Sequence, residues 1–223
     1  YMTFQIPAPG PPMFLVGVEN LEPETSNYAN LSLEYTRRGV SFSVSTYRNT
    51  ISNMISENLE TYTVKPGGIL EFAYQNYEEV LLKGIDILLK TKIVKNLLFS
   101  GTTTFSKKIN LITDEEFENV RNFSGKYNLD YNLHSTNYGL NLNLQSNFYG
   151  AKSINLMDET THQISKVELE SFSVWKLTST HTFKSNYFVK FGVDNIFDFI
   201  DQSGGYNSGN PGRTVFVGIG LKI

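Results

Sequence analysis

Tyr127-Asn-Leu-Asp-Tyr-Asn-Leu-His134, then three residues, then Tyr138-Gly-Leu-Asn-Leu-Asn-Leu-Gln145 is the stretch on which the fold turns. Tyr127, Leu129, Tyr131 and Leu133 alternate with Asn128, Asp130, Asn132 and His134. Tyr138, Leu140, Leu142 and Leu144 alternate with Gly139, Asn141, Asn143 and Gln145. A period of two belongs to a strand with one apolar and one polar face. The short gap makes the pair an antiparallel hairpin.

The same alternation spreads outward from this hairpin. Ala29–Tyr35 and Val40–Val44 repeat it upstream; Tyr187–Val193 and Val215–Ile223 repeat it downstream. Three less regular strands are expected near 77–92, 97–107 and 167–178, with a bulge at Gly84 to restore an ambiguous phase. The expectation is about nine strands and no helix. Short turns fall at Arg37–Gly39, Ile93–Asn96, Ser135–Asn137 and about Ser179–Asn186, and long polar loops at about 50–76, 107–124, 150–166 and 198–212. Short and long connections alternate strictly, as in an up-and-down sheet with all its long loops at one end. Bacterial outer-membrane barrels are built this way, whereas a soluble sandwich has Greek-key connections.

Composition agrees. The 223 residues carry 13 Tyr, 16 Phe, no Cys and a net charge of −3. The aromatic content favours β structure. No apolar run reaches the ~18 residues of a membrane helix, and no basic block suggests nucleic acid. Without cysteine there are no disulfides or thiolate metal sites. Tyr35, Tyr127, Tyr138 and Tyr187 are read as an aromatic girdle on a lipid-facing apolar side, on which the regular strands place no Lys or Arg. Five of the seven prolines fall in the first 23 residues, so residues 1–26 are expected to be mostly irregular, an extracellular loop, with barrel strands over 27–223. Bacterial barrels close with an even strand number, and open edges do not survive in a bilayer. Nine strands therefore suggest a piece of a longer barrel.

Three motifs give this expectation a family. Gly218-Ile-Gly-Leu221-Lys-Ile223 resembles the C-terminal assembly signal of outer-membrane barrels, with Gly218, Leu221 and Ile223 at its marked positions. Gly192-Val-Asp-Asn-Ile-Phe-Asp198 and Gly212-Arg-Thr-Val-Phe-Val-Gly218 resemble the closing strands of TonB-dependent receptors. Glu19-Asn-Leu-Glu-Pro-Glu-Thr-Ser26 is similar to a box of that family, through Asn20, Leu21, Pro23 and Glu24, and Ile6-Pro-Ala-Pro9 to the proline box before it. The resemblance implies an all-β antiparallel up-and-down transmembrane barrel in the bacterial outer membrane, here about the last nine of 22 strands. It further implies uptake of a scarce ligand, such as an iron-siderophore, haem or cobalamin. Its partners would be outer-membrane lipids, the barrel assembly machinery, a small-molecule ligand and a TonB-type energy complex, reached through a segment outside this chain. It implies no cofactor.

Candidate site residues are few. Tyr62 and Tyr74 on the first long loop could stack on or hydrogen-bond a ligand. Asp158, Glu159 and His162 on a later loop are further ligand candidates, but no fourth ligand at a recognisable spacing makes them a metal site. His134 and Asp130 are read as wall residues, and the Gly204–Gly212 run as a flexible loop. No hydrolase motif appears, so no catalytic residue is assigned. Residues 9–19 hold no histidine, against haem. The competing readings are a small self-contained barrel acting as a lipase, protease or passive pore, and a soluble all-β adhesin.

Overall fold

A computed structural model describes residues 3–6, 13–157, 164–184, 186–203, 205, 207–209 and 211–221. Two short strands, β1 (Thr3–Ile6) and β2 (Met13–Val16), precede a meander of long ones: β3 (Thr25–Arg37), β4 (Val40–Lys65), β5 (Ile69–Val94) and β6 (Leu97–Asn110). After the minimal β7 (Glu115–Glu116), β8 (Phe123–His134) and β9 (Tyr138–Tyr149) form the central hairpin. A separate two-stranded sheet, β10 (Lys152–Met157) and β11 (Ile164–Leu169), precedes β12 (Phe172–Phe183), β13 (Tyr187–Asp194) and β14 (Thr214–Leu221). The path β3-β4-β5-β6-β8-β9-β12-β13-β14 is one sheet of nine antiparallel neighbours, as the alternation implies. Among the described residues no pairing joins β3 to β14, so the sheet is a barrel segment with two edges.

Turn chemistry explains the tight end. Arg38 and Gly39, with φ of 46° and 85°, form the two-residue turn between β3 and β4. Two successive positive φ values match the twist of the flanking strands. Asn96 (φ 70°) and Lys184 (φ 49°) serve the turns after β5 and β12. The last of these is shorter than expected, because β12 continues through Ser179 to Phe183.

At the opposite end the expected loops are largely sheet. β4 and β5 each run 26 residues and meet at Pro66–Gly68, so the segment 50–76 is a hairpin extension rather than a loop. At ~3.3 Å per residue such a strand is roughly 80 Å long, well beyond a hydrocarbon core of ~30 Å. Outside the membrane both faces are wet, so no alternation marks those residues. The proline-rich opening is not wholly irregular either: β2 pairs in parallel with β5, Met13 opposite Leu70 and Leu15 opposite Phe72, and β1 pairs with β2. Leu15, Leu70 and Phe72 are buried there, with Met13 and Tyr62 packed against them. The segment 150–166 contains all of β10 and the start of β11, so the strand expected at 167–178 is the end of one strand and the start of another.

The bulge expected at Gly84 is absent: Gly84 pairs in register with Tyr47 and Ser106, and the register shifts lie elsewhere, between Lys92 and Val94 and, on β4, between Asn58 and Tyr62. Gly84 makes room for an aromatic ring, since a Cβ there would sit 2.5 Å from the Tyr47 hydroxyl. The phase looked ambiguous because Leu82 and Leu88 share the face of Tyr47, Ser45 and Ser43.

Opposed residues share a face, so the register extends the two faces across the sheet. The apolar one carries Leu33, Val44, Ile87, Leu129, Leu144, Leu177, Val193 and Val215. It is uncovered: Leu31 is 74% exposed, Val217 62% and Ile219 82%. An apolar sheet face of this extent is a lipid-facing surface. Aromatic rings run along it from Phe99 to Tyr127, Phe148, Trp175 and Phe197, with centroids 5.6–6.3 Å apart. Cross-strand rings at such spacings contribute about 0.5–1.5 kcal/mol each beyond their burial.

Candidate functional site

The polar face is the wall of the barrel interior. Asn132 Oδ1 accepts from Asn141 Nδ2 at 2.8 Å, and Asp130 Oδ1 accepts from Asn143 Nδ2 at 2.7 Å. Lys176 Nζ donates to Asp194 Oδ2 at 2.7 Å. Asp130 and His134 share this face, but four residues along a strand is about 13 Å, so they cannot share a proton. His134 instead borders a small hollow at the short-turn end with Tyr138, Asn141 and Thr182. A larger open hollow of ≈ 260 Å³ lies further along, bordered by Thr102, Thr104, Ser124, Lys126, Asn147 and Tyr149. Lys126 places a cation beside these hydroxyls and amides, and Thr104 donates to Asp86 Oδ1 at 2.7 Å.

The long-loop end is tied by polar anchors. Arg121 donates Nη1 to the Gly150 carbonyl and Nη2 to the Asn207 carbonyl at 2.9 Å. Its guanidinium lies 5.2 Å from the Phe172 ring, itself stacked on Tyr149 and Phe199. Asp201 accepts from the Ser203 hydroxyl at 2.6 Å and from the backbone N–H groups of Ser203, Asn207 and Ser208. These donors, the Ser203 hydroxyl foremost, hold its carboxyl well below the usual carboxylate range. Asn195, 3% exposed, bonds Phe199 through both its amide groups and donates to the Pro211 carbonyl. Arg213 donates its backbone N–H to Asp198 and its Nε to the Ile196 carbonyl. The Gly192–Asp198 motif thus pins both ends of the last long loop.

The other motifs have structural roles as well. Asn53, with φ 55°, interrupts the β4 ladder, and the Glu24 carboxylate accepts the freed Ile55 N–H. The Glu22 carboxylate accepts from Asn53 Nδ2 at 2.9 Å, its backbone N–H donates to Asn76 Oδ1, and its backbone carbonyl accepts from Asn76 Nδ2. The box that contains Asn20, Leu21, Pro23 and Glu24 thereby fixes the start of β3 on the long hairpin. Asn53 and Asn76 make these contacts, Asn76 Nδ2 also donating to the Asn53 carbonyl at 2.7 Å, and no sequence motif marks either residue. Gly218 and Leu221 pair with Lys190 and Tyr187; Ile223 lies outside the described residues.

Of the ligand candidates, Tyr62 packs on Phe72 with centroids 5.7 Å apart, so its ring belongs to the extramembrane cluster. Tyr74 is 37% exposed. By parity along β5 it continues the face of Asp86 and Gly84, which lines the interior. Asp158, Glu159 and His162 lie outside the described residues. Among the described residues no cluster of three metal-ligating side chains occurs.

One histidine escaped the sequence reading. His181 faces lipid, with Nδ1 2.7 Å from the Tyr138 hydroxyl and Nε2 2.8 Å from the Ser179 hydroxyl. The backbone around Ser179 is committed to both neighbouring strands, leaving no pair of N–H groups for an oxyanion. This trio satisfies an imidazole in an apolar band.

Comparisons with known proteins agree with this architecture. A family model described as TonB dependent receptor-like, beta-barrel, matches residues 1–196. The ferric enterobactin receptor PirA of Pseudomonas aeruginosa is 25% identical over 214 residues, covering 92% of this chain and 28% of that protein. The ferrienterobactin receptor of Escherichia coli is 20% identical over 234 residues, covering 92% of this chain and 30% of its own length. The siderophore receptor PirA from Acinetobacter baumannii superposes with a TM-score of 0.72 at 16% identity, over 95% of this chain and 34% of that one. The chain thus spans about a third or less of the length of these relatives. With the family model matched from residue 1 to 196 and the meander, polar wall and long-loop end in place, the chain belongs to the TonB-dependent receptor β-barrel family.

Proposed function

We propose that this chain forms the closing part of an outer-membrane receptor that takes up a ferric siderophore, of the tris-catecholate class to which enterobactin belongs. The observation that carries the reading is the hydrophilic wall opposite a continuous lipid face, which gives a small polar ligand a route through the sheet's interior. The relatives named above as ferric enterobactin receptors support the ligand class. A ferric tris-catecholate is a multiply charged anion with aromatic rings. Lys126 in the larger hollow and the exposed ring of Tyr74 suit such a complex. In this reading the long-loop end faces outward, the short turns face the periplasm, and a TonB-type complex supplies energy through another part of the protein. The chain's own role is binding and passage, with no covalent chemistry.

The test is uptake of radioactive ferric enterobactin by cells whose only receptor is the full-length protein containing this chain. The expected result is saturable uptake that collapses when the proton gradient is dissipated. Energy-dependent uptake of a different iron complex, with none of ferric enterobactin, would overturn the ligand class. Gradient-independent leakage of many solutes would overturn the receptor reading in favour of a passive pore.

A further inference from the structure

On the lipid-facing side, Arg48 lies directly opposite Lys83, and Lys83 directly opposite Lys107. Neighbouring strands are about 4.8 Å apart, so three cations stand in a row within roughly 10 Å. Like charges facing each other across strands are destabilising. Among the described residues one carboxylate, Glu116, reaches the row: it pairs with Lys107 and is shared with Asn122 Nδ2 at 2.7 Å. Counting Arg48, Lys83 and Lys107 against Glu116, the row keeps two net positive charges. On β3 the residue opposite Arg48 is Ala29, and the outward positions of β8, β9, β12, β13 and β14 carry no Lys or Arg among the described residues, so the row is confined to β4–β6.

Its position relative to the apolar band is specific. The next outward row towards the short turns is Leu31, Thr46, Ile85 and Phe105, with Ile85 44% and Phe105 47% exposed. Arg48 is eight residues from Val40 at the short-turn end. At ~3.3 Å per residue and a tilt of ~40° that is about 20 Å of height. The long side chains therefore reach the far boundary of an apolar band ~25 Å tall, with their stems along it and their heads at the headgroup level. An occupant that satisfies both rows is amphipathic: acyl chains on Ile85 and Phe105, anionic groups on the cations.

We propose that Arg48, Lys83 and Lys107 form a binding site for the phosphate groups of a phosphorylated lipid in the leaflet on the long-loop side. The site rests on the transmembrane orientation proposed above, but not on siderophore transport. Lipid phosphate supplies the counter-charge that the protein leaves out, and relieves the cross-strand repulsion.

The full-length receptor in neutral detergent is titrated with bisphosphorylated lipid A, with the same lipid lacking its phosphates, and with inorganic phosphate; bound lipid is read by native mass spectrometry. The phosphorylated lipid is expected to bind at least tenfold tighter than the dephosphorylated one. The triple variant R48Q/K83Q/K107Q loses about a hundredfold, at roughly fivefold per cation. Heat-modifiable gel migration verifies that the variant is folded, and Lys90→Gln, on the interior face, leaves lipid binding unchanged. Equal binding of both lipids, or undiminished binding by the folded triple variant, overturns the site. Inorganic phosphate displacing the lipid at similar concentration overturns a lipid as occupant. Because iron uptake is not the readout, loss of the receptor reading and loss of this site are distinguishable.

Discussion

Leu142→Arg and Asn143→Arg test the assignment of faces at adjacent residues of β9. Leu142 is opposed by Tyr131 and Ser179 on the lipid face. It lies four residues beyond Tyr138. Those four steps are about 13 Å of strand, or roughly 10 Å of height at a tilt of ~40°, near the middle of a band ~25 Å tall. Arginine there costs about 2–4 kcal/mol. At 1.36 kcal/mol per decade this is roughly a 30- to 1,000-fold loss in the folding equilibrium. Asn143 points the other way, donating to Asp130 Oδ1 at 2.7 Å. An arginine there keeps a donor for that carboxylate, so its effect stays within about 1 kcal/mol of zero. The assay is urea unfolding of the full-length receptor in phospholipid vesicles, with both variants measured against the unmodified protein. Equal midpoints for the two variants, or a larger loss for Asn143→Arg, would refute the facing of the central hairpin and with it the lipid side of the sheet.

Phe72→Ala removes the most buried ring of the extramembrane cluster and should cost about 3–5 kcal/mol locally; hydrogen exchange should accelerate at β2 and around residues 62–73 while β8 and β9 keep their protection. The Asp201 carboxyl is depressed in the folded state, so the order it lends its loop is fully present above its unfolded pKa of about 3.9 and is lost as pH falls through its lower folded value. Limited proteolysis of 198–212 should be flat from neutral pH to about 5 and rise only under stronger acid; Asp201→Asn should raise cleavage at neutral pH and abolish that acid dependence. Deleting Leu221 to Ile223 removes the Tyr187–Leu221 pairing and part of the stretch that resembles an assembly signal, and is expected to abolish outer-membrane insertion. Normal insertion of the truncated receptor, by surface labelling, would contradict that role.

Period-two alternation, unequal connections and three family motifs were enough to place nine strands, their facing and the family. These features are local: a strand half in lipid and half in water must alternate, and a tight turn needs residues such as Gly39 and Asn96 that accept positive φ. The candidate site was less legible. The ring of Tyr62 reads as a ligand contact until β2, remote in sequence, is seen to bury it with Leu15 and Phe72. Gly84 reads as a bulge until Tyr47 is found across from it.

In the regular strands the sequence alone determined which residues face lipid and which face the interior, because that choice is repeated at every second residue; in β5 the in-register pairing of Gly84 decided it. Only the tertiary structure decided which residues stand beside one another across strands. Register is a long-range property, set by pairings between segments tens of residues apart, and no local pattern encodes it. It is register that extends β4 and β5 beyond the membrane, docks Glu24 on Ile55, and aligns Arg48, Lys83 and Lys107 from three separate strands into one cationic row.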